Sequence, residues 1–145
     1  MIRVTLPRFG RFDAWRQAAR DLASARVPME DVTWADPDTP PDLFGADPAP
    51  PPGDHPVIAT QEFLQLARQV ASHSDPERWS LLYGALMRAQ GDRRFLSNPA
   101  DPMMDRLSRM AKSVRRDIHK MHAFVRFHEL PSDGPRRAFG AWFEP

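Results

Sequence analysis

Apolar and polar positions alternate first at the amino terminus. Ile2, Val4 and Leu6 fall on one side and Arg3 and Thr5 on the other, the period of a strand with one wet face. A period of three and four follows, in which Trp15, Ala18, Ala19, Leu22 and Ala23 share one helical face, with Asp13 as the expected N-cap and Pro28 as the stop. Val32-Thr33-Trp34 is short and β-branched, so the first 36 residues read as strand, helix, strand. Eight of the 16 prolines then fall between Pro37 and Pro56, which predicts a surface linker over 37–56 rather than a helix or central strand. Within it, Leu43 and Phe44 are the two large apolar residues expected to pin the linker to the body.

Beyond the linker Val57-Ile58 reads as a further short strand. Thr60 is placed to cap a helix with Phe63, Leu66, Ala67 and Val70 inside. The next helix has two candidate starts, the capping-box pair Ser74 and Glu77 or Asp75 followed by Pro76. Trp79, Leu82, Tyr83 and Leu86 form its buried stripe, and Gly91 its end. The longest periodic segment starts at Asp101-Pro102 and runs to about residue 122, with Met104, Leu107, Ala111, Val114, Ile118 and Met121 on its apolar side. Phe124 to His128 then reads as a strand, Pro131 to Pro135 as a turn, and Ala138 to Phe143 as the hairpin partner. The expected fold class is α+β: an N-terminal strand-helix-strand, a Pro-rich linker, a three-helix middle section and a C-terminal β-hairpin, within one domain over 1–145.

Composition narrows the chemistry. The chain has no cysteine, which removes thiol nucleophiles, disulfides and cysteine-held zinc or iron-sulfur clusters. No window approaches the roughly 18 apolar residues of a membrane span, and no apolar run follows the first charge, so a cytoplasmic protein without a membrane partner is expected. The formal net charge is only +1. It is unevenly placed: residues 1–60 hold 6 basic and 9 acidic side chains, whereas residues 103–145 hold 9 and 5. Eighteen of the 20 basic residues are Arg, whose guanidinium fork suits phosphate, although a chain equally rich in Ala and Pro is also what a GC-rich genome encodes.

Within the basic third, Arg109, Lys112, Arg116 and Lys120 cluster on the side of the long helix opposite its apolar stripe. Such a face can follow a phosphate backbone; a plain solvated face fits the same geometry. On the flank between stripes, Arg115, His119 and His122 are spaced so that their side chains can meet. His119 and His122 could bind one metal from adjacent turns, but no third ligand shares that flank. No metal and no cofactor are therefore expected, and His122 reads as a partly buried, hydrogen-bonded side chain. Arg126, the one charge central to the hairpin, is expected to face solvent, a ligand or a carboxylate such as Glu144.

Residues 114–127, reading Val-Arg-Arg-Asp-Ile-His-Lys-Met-His-Ala-Phe-Val-Arg-Phe, together with Ala141-Trp142-Phe143-Glu144-Pro145, carry a resemblance. They resemble a family of DNA-metabolism proteins of uncharacterised activity, in the form fused in front of an X-type uracil-DNA glycosylase. Asp42-Leu43-Phe44-Gly45 and Asp75-Pro76-Glu77-Arg78 sit where that fused form has similar segments. The family continues past the counterpart of Pro145, so the resemblance implies a C-terminally truncated domain whose Trp142 and Phe143 are unusually exposed, and which its missing tail would stabilise. Its settings, beside a radical-SAM protein or fused to the glycosylase, imply a DNA-repair accessory module that binds single-stranded or damaged DNA or positions such a partner. The alternatives are an enzyme acting on nucleic acid, with His119, Arg126 and Arg115 in its site, and a protein-interaction domain. The enzyme reading is the weaker, because no carboxylate dyad or nucleophile accompanies those three residues.

Overall fold

Strand β1 (Ile2–Thr5) pairs in parallel with β2 (Val32–Ala35), Ile2 opposite Val32 and Thr5 opposite Ala35, and helix α1 (Arg11–Ser24) makes the crossover between them. Parallel strands require such a connection, and the alternation in residues 2–6 supplies one edge of it. The computed structural model describes residues 1–40, 47–124, 126–132 and 134–141. Leu43 and Phe44, the two residues expected to pin the linker, lie outside the described residues. Helix α1 begins two residues before the expected cap. Gly10 takes the left-handed conformation (φ 67°) and its carbonyl accepts from Ala14 N, which leaves Asp13 in the first turn rather than at the N-cap. The helix closes ahead of Pro28. Arg26 adopts φ 57°, so that its N–H reaches Ala23 O while Val27 N–H reaches Leu22 O, both at 3.0 Å, the pattern of a Schellman cap.

The Pro-rich stretch is irregular but docked. Gly53 N–H donates to Ser24 Oγ at 2.9 Å, and a Cβ at Gly53 would lie 2.2 Å from Ser24 O, so only glycine permits this approach. Val57-Ile58 is not a strand. Among the described residues no strand pairs with it; instead the Gln90 side-chain amide accepts from Ile58 N (2.9 Å) and donates to Ile58 O (3.0 Å), as a neighbouring strand would do.

Three helices follow: α2 (Gln61–Ala71), α3 (Arg78–Gly91) and α4 (Pro102–Phe124). Thr60 Oγ1 accepts from Phe63 N and caps α2 as expected. At α3 neither candidate start holds: the helix begins two residues later than an Asp75 cap predicts, with Glu77 at the N-cap and without a side-chain cap bond, while in the preceding turn Asp75 Oδ1 accepts from Glu77 N at 2.8 Å and Glu77 turns its carboxylate to Arg106. The Glu77 N–H is the chief reason the Asp75 carboxyl stays below its ordinary range, with burial opposing and Arg106 adding to the effect. Asp101 starts α4, accepting from the N–H groups of Met103 and Met104 and pairing with Arg88 at 2.6 Å. Its burial raises the carboxyl pKa, but those N–H groups and Arg88 outweigh it and hold the group below the usual value.

One hydrophobic core joins both ends of the chain. Trp15 of α1 is centred 6.0 Å from Trp79 of α3 and 6.2 Å from Trp34 of β2, and Tyr83 meets Trp34 edge-on at 5.8 Å. Phe63, Ala67 and Val70 of α2 and Met104, Leu107, Ala111 and Val114 of α4 complete it, as their spacing predicts. Ile118 does not: it is 45% exposed. With 23 residues α4 runs about 34 Å, against about 16 Å for α2 and about 21 Å for α3, so it outruns the helices that could cover its last turns. It also continues to Phe124, past the expected change to strand, because neither glycine nor proline interrupts it. The hairpin is correspondingly short. Strand β3 (His128–Leu130) pairs antiparallel with β4 (Ala138–Gly140), and Phe127 precedes it in irregular, exposed chain. Trp142, Phe143 and Glu144 lie outside the described residues. The architecture is α+β, with no helix among the described residues long and apolar enough to cross a membrane.

Tyr83 reports on this core. Its hydroxyl donates to Val27 O at 2.7 Å across 56 positions of sequence, and burial pushes its phenol pKa up to about 12. Between pH 10 and that value the unfolded chain gives up this proton and the folded one keeps it. Stability should therefore fall as pH rises through that window, by about 2 to 3 kcal/mol in all. Tyr83 is the only tyrosine, so ultraviolet titration of phenolate absorbance follows it alone. Urea unfolding of Tyr83→Phe should show a shallower loss of stability between pH 9 and 11 than the parent; an equal loss would remove Tyr83 as its source.

Candidate nucleic-acid interface

Helix α4 buries one side against α2 and α3 and turns the other outward, and Arg109, Lys112, Arg116 and Lys120 all lie exposed on that outer side. The apolar stripe dictates this, since four side chains nearly opposite Leu107 and Val114 cannot reach the core. Their charges are not equally free. Arg109 bonds to the Asp105 carboxylate one turn earlier, a contact that raises its pKa, and Arg116 Nε lies 3.8 Å from Asp117 Oδ1. Among the described residues Lys112 and Lys120 have no carboxylate partner. Two neighbouring arginines serve packing instead. Arg106 spans Asp75 and Glu77 at the start of α3, and Arg115 donates to Gln69 Oε1 of α2 at 3.1 Å.

The histidine flank is more open than its spacing suggests. His122 is exposed rather than half-buried, because α4 has already left its partners by this turn, and His119 is exposed beside it. Arg126 is exposed as well, while Glu144, its expected partner, lies outside the described residues. Among the described residues no three His, Asp or Glu side chains gather as a metal site. Arg115, His119 and Arg126 line neither of the two clefts described next.

Both clefts flank the irregular segment 55–59, far from these residues in sequence. One, of about 360 Å³, is lined by Trp15, Arg16 and Arg20 of α1, Phe63 of α2, Leu86 of α3 and Ala59 of the segment, among others. The second is lined by Arg26, His55 and Arg93, among others. Among the described residues no carboxylate lines either. The spacing of Arg16 and Arg20, one turn apart, was the only trace of this in the sequence; the cleft itself needs the fold-back of a segment some forty positions later.

Residues 76–145 match the model of a family described as a domain of unknown function, DUF4130. The match takes in α3, α4 and the hairpin and leaves the strand-helix-strand unit and α2 outside. No curated protein and no solved structure matches the chain.

Proposed function

We propose that the protein is a DNA-repair accessory module that holds single-stranded or damaged DNA along the outer face of α4, and so positions a fused or separate uracil-DNA glycosylase or a radical-SAM partner. The observation that carries this reading is the exposed line of Arg109, Lys112, Arg116 and Lys120, in which both lysines lack a carboxylate partner among the described residues. Lysine and arginine supply most protein contacts to phosphate, and a straight helix can present them to successive phosphates. The DNA-repair setting comes from the resemblance carried by residues 114–127, six of whose first seven positions lie on the exposed end of α4 or border it. A catalytic role for His119, Arg115 and Arg126 draws less support, since all three are exposed and outside both clefts.

Titration of a fluorescent single-stranded oligonucleotide tests the reading. Neutralising about three phosphates should give a slope of roughly −2 for log affinity against log salt. Replacing Arg109, Lys112, Arg116 and Lys120 together by Gln should abolish this binding and leave the thermal transition cooperative, because none of the four touches the core. Equal affinity of variant and parent, or no binding by either at low salt, would reject the phosphate contact and favour a protein-interaction domain, for which the exposed Phe127 and Phe139 would serve.

A further inference from the structure

The cleft between α1 and the segment 57–59 has the properties of a ligand site, and nothing in the α4 reading uses it. Its floor is apolar and deeply placed: Trp15, Phe63 and Leu86 are 1%, 3% and 5% exposed. Val57 and Leu64, both half-buried, extend this apolar surface towards the mouth. Its rim is cationic. Arg16 and Arg20 stand one turn apart on the exposed side of α1, so their guanidinium groups can converge on one anion.

Among the described residues Arg16 and Arg20 have no ion-pair or hydrogen-bond partner. The Asp21 carboxylate, the acid nearest in sequence to Arg20, is occupied by the Gln17 amide, which donates to its two oxygens at 3.0 and 3.1 Å. Residues 1–60 carry 9 acidic side chains, and yet among the described residues none lines this cleft. Two unpaired guanidinium groups beside an apolar slot are the complement of a dianion joined to a flat apolar body, not of an inorganic ion alone.

The far wall is fixed before any ligand arrives. Val57 and Ala59 line the cleft, and Ile58 between them is held by both of its backbone groups to the Gln90 amide. Thr60 caps α2 immediately afterwards. A wall pinned at consecutive positions needs little ordering when a ligand binds, which lowers the entropic cost of association.

We propose that this cleft binds an organic phosphate, its planar or apolar part packed on Val57 and Leu64 above the floor of Trp15, Phe63 and Leu86 and its phosphate held between Arg16 and Arg20. The site stands apart from α4, so it can hold whether or not α4 contacts nucleic acid. Phenyl phosphate is the simplest probe, titrated into the full chain by calorimetry and by amide chemical shifts. Saturable binding with shifts at Arg16, Gln17, Arg20 and Ala59 is expected, with inorganic phosphate at least about tenfold weaker because it forgoes the apolar floor. Replacing Arg16 and Arg20 together by Gln should weaken phenyl phosphate at least about tenfold. Ala59→Trp, which fills the slot from an exposed position and keeps both arginines, should weaken it comparably. The fourfold Gln variant of α4 should bind phenyl phosphate like the parent, so failure of this site and failure of the α4 contact are told apart. Absence of saturable binding, unchanged affinity in the Arg16 and Arg20 variant, equal affinity for inorganic phosphate, or loss of binding in the α4 variant would each overturn the assignment.

Discussion

A fragment comprising residues 76–145, the part that matches the family model, should not fold cooperatively on its own. Helix α3 opens that fragment, and the surface it buries is shared with residues outside it. Trp79 is 3% exposed because Trp15 stacks on it, and Leu82 and Tyr83 are fully buried in a cluster that includes Leu22, Val27, Val32 and Phe63. Removing residues 1–75 would return Trp79, Leu82, Tyr83 and Leu86 to water, a loss of about 1.5 to 3 kcal/mol for each fully buried apolar side chain. It would also strip α4 of α2, the helix against which it packs most extensively. For the four side chains the loss is about 6 to 12 kcal/mol, comparable with the whole stability of an ordinary domain, about 5 to 15 kcal/mol. Circular dichroism of the fragment should show no sigmoidal thermal transition, whereas the full chain should melt in one. A cooperative melt of the fragment would mean that the matched region is an independent unit and that the strand-helix-strand part is an addition to it.

What could be read from the residues was local, and what could not depended on neighbours distant in sequence. Thr60 and Asp101 announce their helices because a side-chain oxygen three positions ahead of an N–H acts within one turn, whereas α3 begins two residues later than a cap at Asp75 predicts. The outer cations of α4 were legible for a similar reason: a period of three and four fixes direction once one face is known to be apolar. The same stripe misplaced Ile118, because periodicity says which way a residue points and not whether anything stands there to cover it. Val57 and Ile58 have strand-like side chains but found the amide of Gln90 instead of another backbone, a partner 32 positions away. Gly10 displaced Asp13 as the start of α1 because a left-handed glycine turns the chain earlier than the capping pattern indicates. The cleft with Arg16 and Arg20 was hidden altogether, since one wall comes from the end of a stretch whose prolines mark it only as irregular.

Arg78→Met should destabilise the protein by about 2 to 3 kcal/mol, although the substitution is apolar and similar in length. Arg78 is 8% exposed, which is rare for an arginine, and its burial depresses its pKa, with the nearby Arg11 adding to this and Asp36 and Asp75 opposing. Its guanidinium sits 4.8 Å from the centre of the Trp79 ring. From there Nε donates to Ala71 O at 3.3 Å and Nη1 donates to Asp75 O at 2.8 Å. Ala71 is the last residue of α2, where carbonyls have no partner within the helix, so one side chain from the start of α3 satisfies the end of α2 and fixes the turn between them. Methionine would fill the volume and leave the partly buried Ala71 carbonyl without this donor. Lysine keeps the charge but not the two-pronged geometry, so Arg78→Lys should fall between Met and parent. Urea midpoints of the three proteins decide it: a Met variant within about 0.5 kcal/mol of the parent would show that packing on Trp79, and not the pair of carbonyl contacts, is what Arg78 contributes.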